Sequence, residues 1–166
     1  MNPKETLFQQ LDTLAETVAR KLSDQGLTLS SAEACTGGLF AARLTELAGS
    51  SRFFDRAIVT YSNQAKLDHL EVRPETLEEY GAVSPETARE MAEGLARVSG
   101  SDVCISVTGI AGPGGGTEEK PVGTVFVAVV HQGQTHVFQA PTVNVNRIYN
   151  RNHSILFMLD VLNQLL

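Results

Sequence analysis

Apolar residues at Leu7, Leu11, Leu14, Val18 and Leu22 recur every three or four positions, so residues 4–23 predict an amphipathic helix that covers a core. Ser23-Asp24-Gln25-Gly26 ends it, with Gly26 suited to the left-handed conformation of a helix terminus. Leu27-Thr28-Leu29-Ser30-Ser31 then reads as a strand. Ala-Glu-Ala-Cys-Thr-Gly-Gly at 32–38 reads as a tight turn into a helix over about 37–47, carrying Leu39, Phe40, Leu44 and Leu47. Arg56 to Tyr61, rich in β-branched and aromatic residues, predicts a second strand, and Asp102 to Val107 a third. Val122 to Val130 and Thr135 to Gln139 predict two more, joined by a hairpin turn at His131-Gln132-Gly133-Gln134.

Between the second and third strands, Pro74 to Tyr80 suggests a short helix. Ser84-Pro85 opens a longer one, closed by Gly100, whose buried face is Ala88, Met91, Ala92, Leu95 and Val98. Ile148, Ile155, Leu159, Leu162 and Leu166 mark a terminal helix. Strands alternate with helices and no linker or repeat intervenes. The expected fold is therefore α/β, a three-layer α/β/α sandwich with a mixed sheet, in a single domain over 1–166.

Composition narrows the function classes. The 166 residues carry 13 basic and 19 acidic side chains, a formal net charge of −6, with no Lys/Arg run, which disfavours a nucleic-acid groove. Cys35 and Cys104 lack metal-ligand spacing and read as reduced cytosolic thiols, so no metal is expected. Met1 to Glu5 has no basic segment followed by an apolar block, and no apolar run approaches membrane-spanning length; a cytoplasmic protein without membrane contact is expected.

Three segments carry candidate chemistry. Gly37-Gly38, Tyr61 to Lys66, and Thr108 to Gly116 each follow an expected strand, and their ends could converge on one edge of the sheet. Paired glycines at a helix start would offer backbone N–H groups to an anion or oxyanion. A lysine is protonated at neutral pH unless burial or a neighbouring cation lowers its pKa, and such a lysine can activate a serine hydroxyl while a tyrosine relays the proton. The plainer alternatives are a ligand-free turn, a strand-end tyrosine, a solvated helix lysine and a mobile glycine loop. A Walker A loop is excluded by the lack of Gly-Lys-Ser/Thr, and there is no Gly-x-Ser-x-Gly elbow.

Together with Gly-Ala-Val-Ser at 81–84, the sequences Ala-Glu-Ala-Cys-Thr-Gly-Gly at 32–38, Val-Thr-Tyr-Ser-Asn-Gln-Ala-Lys at 59–66 and Thr-Gly-Ile-Ala-Gly-Pro-Gly-Gly-Gly-Thr-Glu-Glu-Lys-Pro-Val-Gly-Thr-Val at 108–125 resemble the CinA carboxy-terminal domain family. Its members include nicotinamide-nucleotide amidohydrolases of pyridine-nucleotide salvage. The resemblance implies cofactor-independent hydrolysis of nicotinamide mononucleotide to nicotinate mononucleotide and ammonia. It implies a serine nucleophile assisted by a tyrosine and a lysine, matching Tyr61 as proton relay and Lys66 as base. The serine position matches Ala34.

A methyl group cannot form an acyl-enzyme, so the chain as written is expected to be inactive or nearly so by that route. Cys35 and Ser31 are possible substitutes, but a shift along a strand redirects the side chain. Either Ala34 is an introduced substitution, or this is a natural member that kept the pocket and lost the reaction. Val145-Asn146-Arg147 stands where the family commonly has Gly-Asp-Arg, while Arg147 and Arg151 keep the spacing of two family arginines. That departure favours a divergent natural member and leaves open whether its ligand is the family's. The expected substrate contacts are Thr36, Gly37, Gly38, Thr108, Gly109, Gly112 and, for a phosphate, Arg147. A non-catalytic nucleotide-binding or regulatory protein is the competing class, and a structural or assembly role a third. A pyridine nucleotide is the expected partner, and homo-oligomerisation is plausible.

Overall fold

The computed structural model describes residues 6–166. Helix α1 spans Leu7–Gln25; Thr6 and Gln9 cap its start reciprocally, and Gly26 closes it at φ 65°. The part of the expected helix at residues 4 and 5 lies outside the described residues. Strand β1 is Leu29–Glu33, followed by α2 (Leu39–Thr45), β2 (Phe54–Val59), α3 (Asn63–Leu70), α4 (Pro74–Tyr80) and α5 (Pro85–Ser99). Then come β3 (Val103–Gly109), β4 (Val125–His131), β5 (Gln134–Gln139) and α6 (Arg147–Leu165).

The strands form one mixed sheet in the order β2-β1-β3-β4-β5. β1 pairs in parallel with β2 and β3, while β4 runs antiparallel to both β3 and β5. Alternation along β3 assigns each face. Val103, Ile105 and Val107 join α1, α2 and α6 in one apolar cluster, whereas Cys104 joins Met91 and Leu95 of α5 and Leu70 of α3 in another. The sheet thus lies between two helical layers, the three-layer α/β/α sandwich expected from the alternation of periods.

Several boundaries differ from expectation. β1 begins at Leu29 rather than Leu27, because the Leu27 amide still bonds the Leu22 carbonyl and the chain meets the sheet only at Leu29. β1 therefore continues to Glu33, which puts a carboxylate at the end of a fully buried strand. β2 ends at Val59, so Tyr61 stands beyond the strand. Val98 and Ile148, expected on apolar faces, are 46% and 71% exposed. Val98 lies beyond Leu95, the last buried residue of α5, and Ile148 sits on the first turn of α6, beyond the edge of the sheet. Among the described residues, no helix is long and apolar enough to cross a membrane.

Candidate functional site

The carboxyl ends of the parallel strands deliver the three segments to one edge, as α/β topology does for ligands generally. After β1 come Ala34 and Cys35, after β2 Tyr61 and Asn63, and at the end of β3 Thr108 and Gly109. With Ala82 and Val83 before α5, the loop at 110–115, Lys66 and Arg147, they line an open cleft of about 310 Å³.

Lys66 is placed by its helix cap. The Ser62 hydroxyl accepts from the Ala65 amide at 3.0 Å, starting α3 so that Lys66 falls on its inner face, only 2% exposed. Its Nζ donates to the Thr60 carbonyl at 3.1 Å and to the Ser62 carbonyl at 3.4 Å, and pairs with no carboxylate among the described residues. Desolvation lowers its pKa from the usual lysine value, partly opposed by Cys35. Two carbonyls are its only protein acceptors among the described residues, so no carboxylate offsets that desolvation.

Arg147 spans the mouth of the cleft. Its guanidinium donates to the Gly112 carbonyl at 2.7 Å and to the Tyr61 hydroxyl at 2.9 Å, linking the glycine loop to the end of β2. Asn146 caps α6 by accepting from the Tyr149 amide at 2.9 Å, and the Val145 amide donates to Asn150 Oδ1 at 3.0 Å. Asn146 thus performs the capping that an aspartate would, and Arg147 still enters the cleft. The Val145-Asn146 departure has a local structural role here.

The turn after β1 is organised differently from expectation. The helix start at Gly37-Gly38 is not open to an outside anion, because the chain fills it with its own. Glu33, fully buried, accepts at Oε2 from the Thr36 hydroxyl (2.6 Å), the Gly38 amide (3.0 Å) and the Phe40 amide (3.1 Å). At Oε1 it accepts from the Ala41 amide (3.0 Å) and the Ser31 hydroxyl (3.3 Å). The Gly37 amide turns inward to the Ala34 carbonyl at 3.1 Å. Thr36, Gly37 and Gly38 are not among the residues that line the cleft, and the Thr36 hydroxyl and the Gly37 and Gly38 amides are consumed within the turn. From the other side, Arg151 donates to the carbonyls of Cys35 (3.2 Å) and Thr36 (2.7 Å). One signal for this cage was present in the sequence: Glu33 is the only charged residue between Gln25 and Arg43, directly before the glycine turn.

Unpartnered donors lie elsewhere. Among the described residues, the amides of Cys35 and Thr36 and those of Ala111, Gly112, Gly114 and Gly115 bond no other protein group. Gly112, at φ 80°, packs against Val122 where any Cβ would collide, which holds this loop close to the strand that follows it. Thr108 lines the cleft but directs its hydroxyl to the Ala82 carbonyl at 2.7 Å. Gly109 is also at the cleft, packed so closely on Cys35 that a Cβ would stand 3.2 Å from the sulfur. The cleft contains two cations and no carboxylate, although the chain as a whole carries −6.

Neither proposed substitute nucleophile is poised. Ser31 is committed to Glu33 on the α2 side of the sheet. Burial pushes the Cys35 thiol up to about 12, with Glu33 adding to the rise and its own backbone amide, Arg151 and Lys66 opposing it. Its thiolate fraction at pH 8 should therefore be roughly a thousandfold below that of a thiol at the usual value. Alkylation of the folded chain by iodoacetamide, followed by peptide mass mapping, should proceed at Cys35 at least about a hundredfold more slowly than on the same chain unfolded. Comparable rates would contradict this assignment.

A mixed sheet with an open cleft at the ends of its parallel strands defines an α/β protein whose cleft sits where that topology gathers its loops. The comparisons define the family. The model described as the CinA C-terminal domain matches residues 11–166, and the chain belongs to that family. A protein of Acetivibrio thermocellus described as competence-damage inducible is 50% identical over 163 residues, 97% of this chain, and a CinA-like protein of Kosmotoga olearia is 46% identical over 155 residues, 93% of it. The chain spans only 39% and 37% of those relatives' own lengths. Among solved structures, a competence/damage inducible protein from Agrobacterium tumefaciens superposes with a TM-score of 0.87 at 42% identity, covering 99% of this chain and 100% of that one. A CinA superfamily protein from Escherichia coli superposes at 0.91 with 32% identity, covering 100% and 94%.

Proposed function

We propose that the cleft is a pyridine-nucleotide amidohydrolase site whose reaction is interrupted at Ala34, so that the chain binds nicotinamide mononucleotide or a related phosphorylated amide and turns it over poorly or not at all. The observation that carries this is Lys66: a buried amino group that donates to two carbonyls, faces no carboxylate among the described residues and lines the same cleft as Ala34.

With a hydroxyl at position 34, the chemistry would run as follows. Lys66 Nζ takes the hydroxyl proton as the oxygen attacks the carboxamide carbon. The amide of Cys35, a cleft-lining residue next to position 34, bonds no other residue among the described ones and is suited to the oxyanion. The proton held by Lys66, with Tyr61 as relay, leaves with ammonia. Water then cleaves the ester by the reverse use of the same base, giving the carboxylate. In the present chain the first step lacks its oxygen, while Lys66, Tyr61 and Arg147 still line the cleft. The lack of any lining carboxylate, the guanidinium of Arg147 and the open amides at 111–115 all favour an anionic ligand.

The second reading, a protein that binds the nucleotide without turning it over, is favoured by Ala34 itself and shares the same binding prediction. Calorimetric titration with nicotinamide mononucleotide should show one site per chain, and Arg147→Ala should weaken binding about tenfold or more, the loss of one charge-assisted contact. No heat of binding from the unmodified chain would count against both readings. Unchanged affinity in the variant would remove Arg147 from the phosphate.

A further inference from the structure

In an amidohydrolase of this design the lone pair of the buried lysine is used on a neighbouring hydroxyl, and Ala34 offers none. Lys66 Nζ lines the cleft with its two N–H bonds directed at the carbonyls of Thr60 and Ser62. Among the described residues no carboxylate holds it as an ammonium. A buried lysine that lines a cleft and faces no carboxylate can act, in its neutral form, as a nucleophile toward carbon.

We propose that Lys66 of this chain captures the aldehyde or ketone carbonyl of an anionic, phosphorylated ligand as an imine. The lone pair of Nζ forms the new C–N bond while the carbonyl π pair moves to oxygen, which takes up a proton. The nitrogen gives up one proton to leave a carbinolamine, then its second as the hydroxyl takes up another proton and departs as water, so that the C=N bond remains and the nitrogen no longer donates to Thr60 or Ser62. One carbonyl and one amine give one imine and one water, with no change of oxidation state. The anionic end of the ligand is held by Arg147 and the unpartnered amides of the loop at 111–115, and the Tyr61 hydroxyl, already hydrogen-bonded to Arg147, stands where a proton can be exchanged with the carbinolamine oxygen. This capture rests on the anion-accepting cleft proposed above, but not on any amide hydrolysis there.

The lowered pKa of Lys66 strengthens the case, since each unit of lowering raises the neutral fraction about tenfold at a fixed pH below the pKa. The test uses pyridoxal 5′-phosphate as probe, with borohydride reduction and peptide mass mapping of the folded chain at pH 7.5. Lys66 should be labelled at least about tenfold faster than Lys21 or Lys120. Non-phosphorylated pyridoxal should label it at least about tenfold more slowly, and excess inorganic phosphate should protect it. Lys66→Arg should abolish the visible imine absorbance while the circular dichroism spectrum stays that of a folded α/β protein. Label spread over Lys21 and Lys120 with Lys66 unmodified would overturn the proposal. So would equal labelling by the two aldehydes, which would also remove the anion subsite without bearing on whether a serine at position 34 restores hydrolysis.

Discussion

In a chain carrying Ala34→Ser, further replacement of Lys66 by methionine should lower ammonia release from nicotinamide mononucleotide by about a thousandfold or more. General-base assistance of this kind contributes about a hundred- to ten-thousandfold, and loss of an activating partner from a nucleophile pair is among the largest single-residue effects in hydrolases. Methionine keeps the unbranched apolar stem, so the loss reports the amine rather than a cavity. The sign of the pH dependence follows from burial. Desolvation lowers the Lys66 pKa, so the neutral, proton-accepting form grows as pH rises along a limb that lies below the usual lysine range. The rate of the serine variant should climb along that limb, and the methionine variant should lose the limb along with the rate. A rate profile without such a limb, in a serine variant that is active, would mean that another group takes the proton.

Glu33→Ala should destabilise the fold by about 3–5 kcal/mol, read from the midpoint of urea denaturation. The carboxylate is the common acceptor for three backbone amides and two hydroxyls, all gathered at the start of α2. Its removal leaves those buried donors without a partner and takes an anion from the positive end of a helix. Glu33→Gln should lose less, because one amide oxygen remains, but its NH₂ must face donors rather than acceptors, and about 1–3 kcal/mol of the loss should persist. Stability within about 0.5 kcal/mol of the parent in the alanine variant would contradict the account of this turn.

Glu33 also marks the boundary of what the sequence made legible. The layers, the mixed sheet and the hairpin between β4 and β5 follow from periods of two and of 3.6 residues. The gathering of Tyr61, Lys66, Gly109, Gly112 and Arg147 follows from three loops that leave strands at the same edge. The direction of backbone amides does not follow from such patterns. Two adjacent glycines at a helix start looked like an open anion site, and only a side chain reaching forward from β1 to residues 36–41 shows that the site is occupied from within. Arg147 was legible as a cation but not as the link between Tyr61 and Gly112, because that link joins residues 86 and 35 positions away. Asn146 was legible as a departure from the family pattern but not as the cap of α6, a position that asparagine and aspartate both suit.

The hydrolysis proposed above fails in this chain at one atom, the missing oxygen at position 34. The most direct measurement is therefore ammonia release from nicotinamide mononucleotide by the unmodified chain and by Ala34→Ser, side by side under the same conditions. The account predicts release at or near background from the former and an increase of at least about a thousandfold in the latter. Appreciable release from the unmodified chain, or a serine variant that binds the nucleotide yet stays silent, would contradict it.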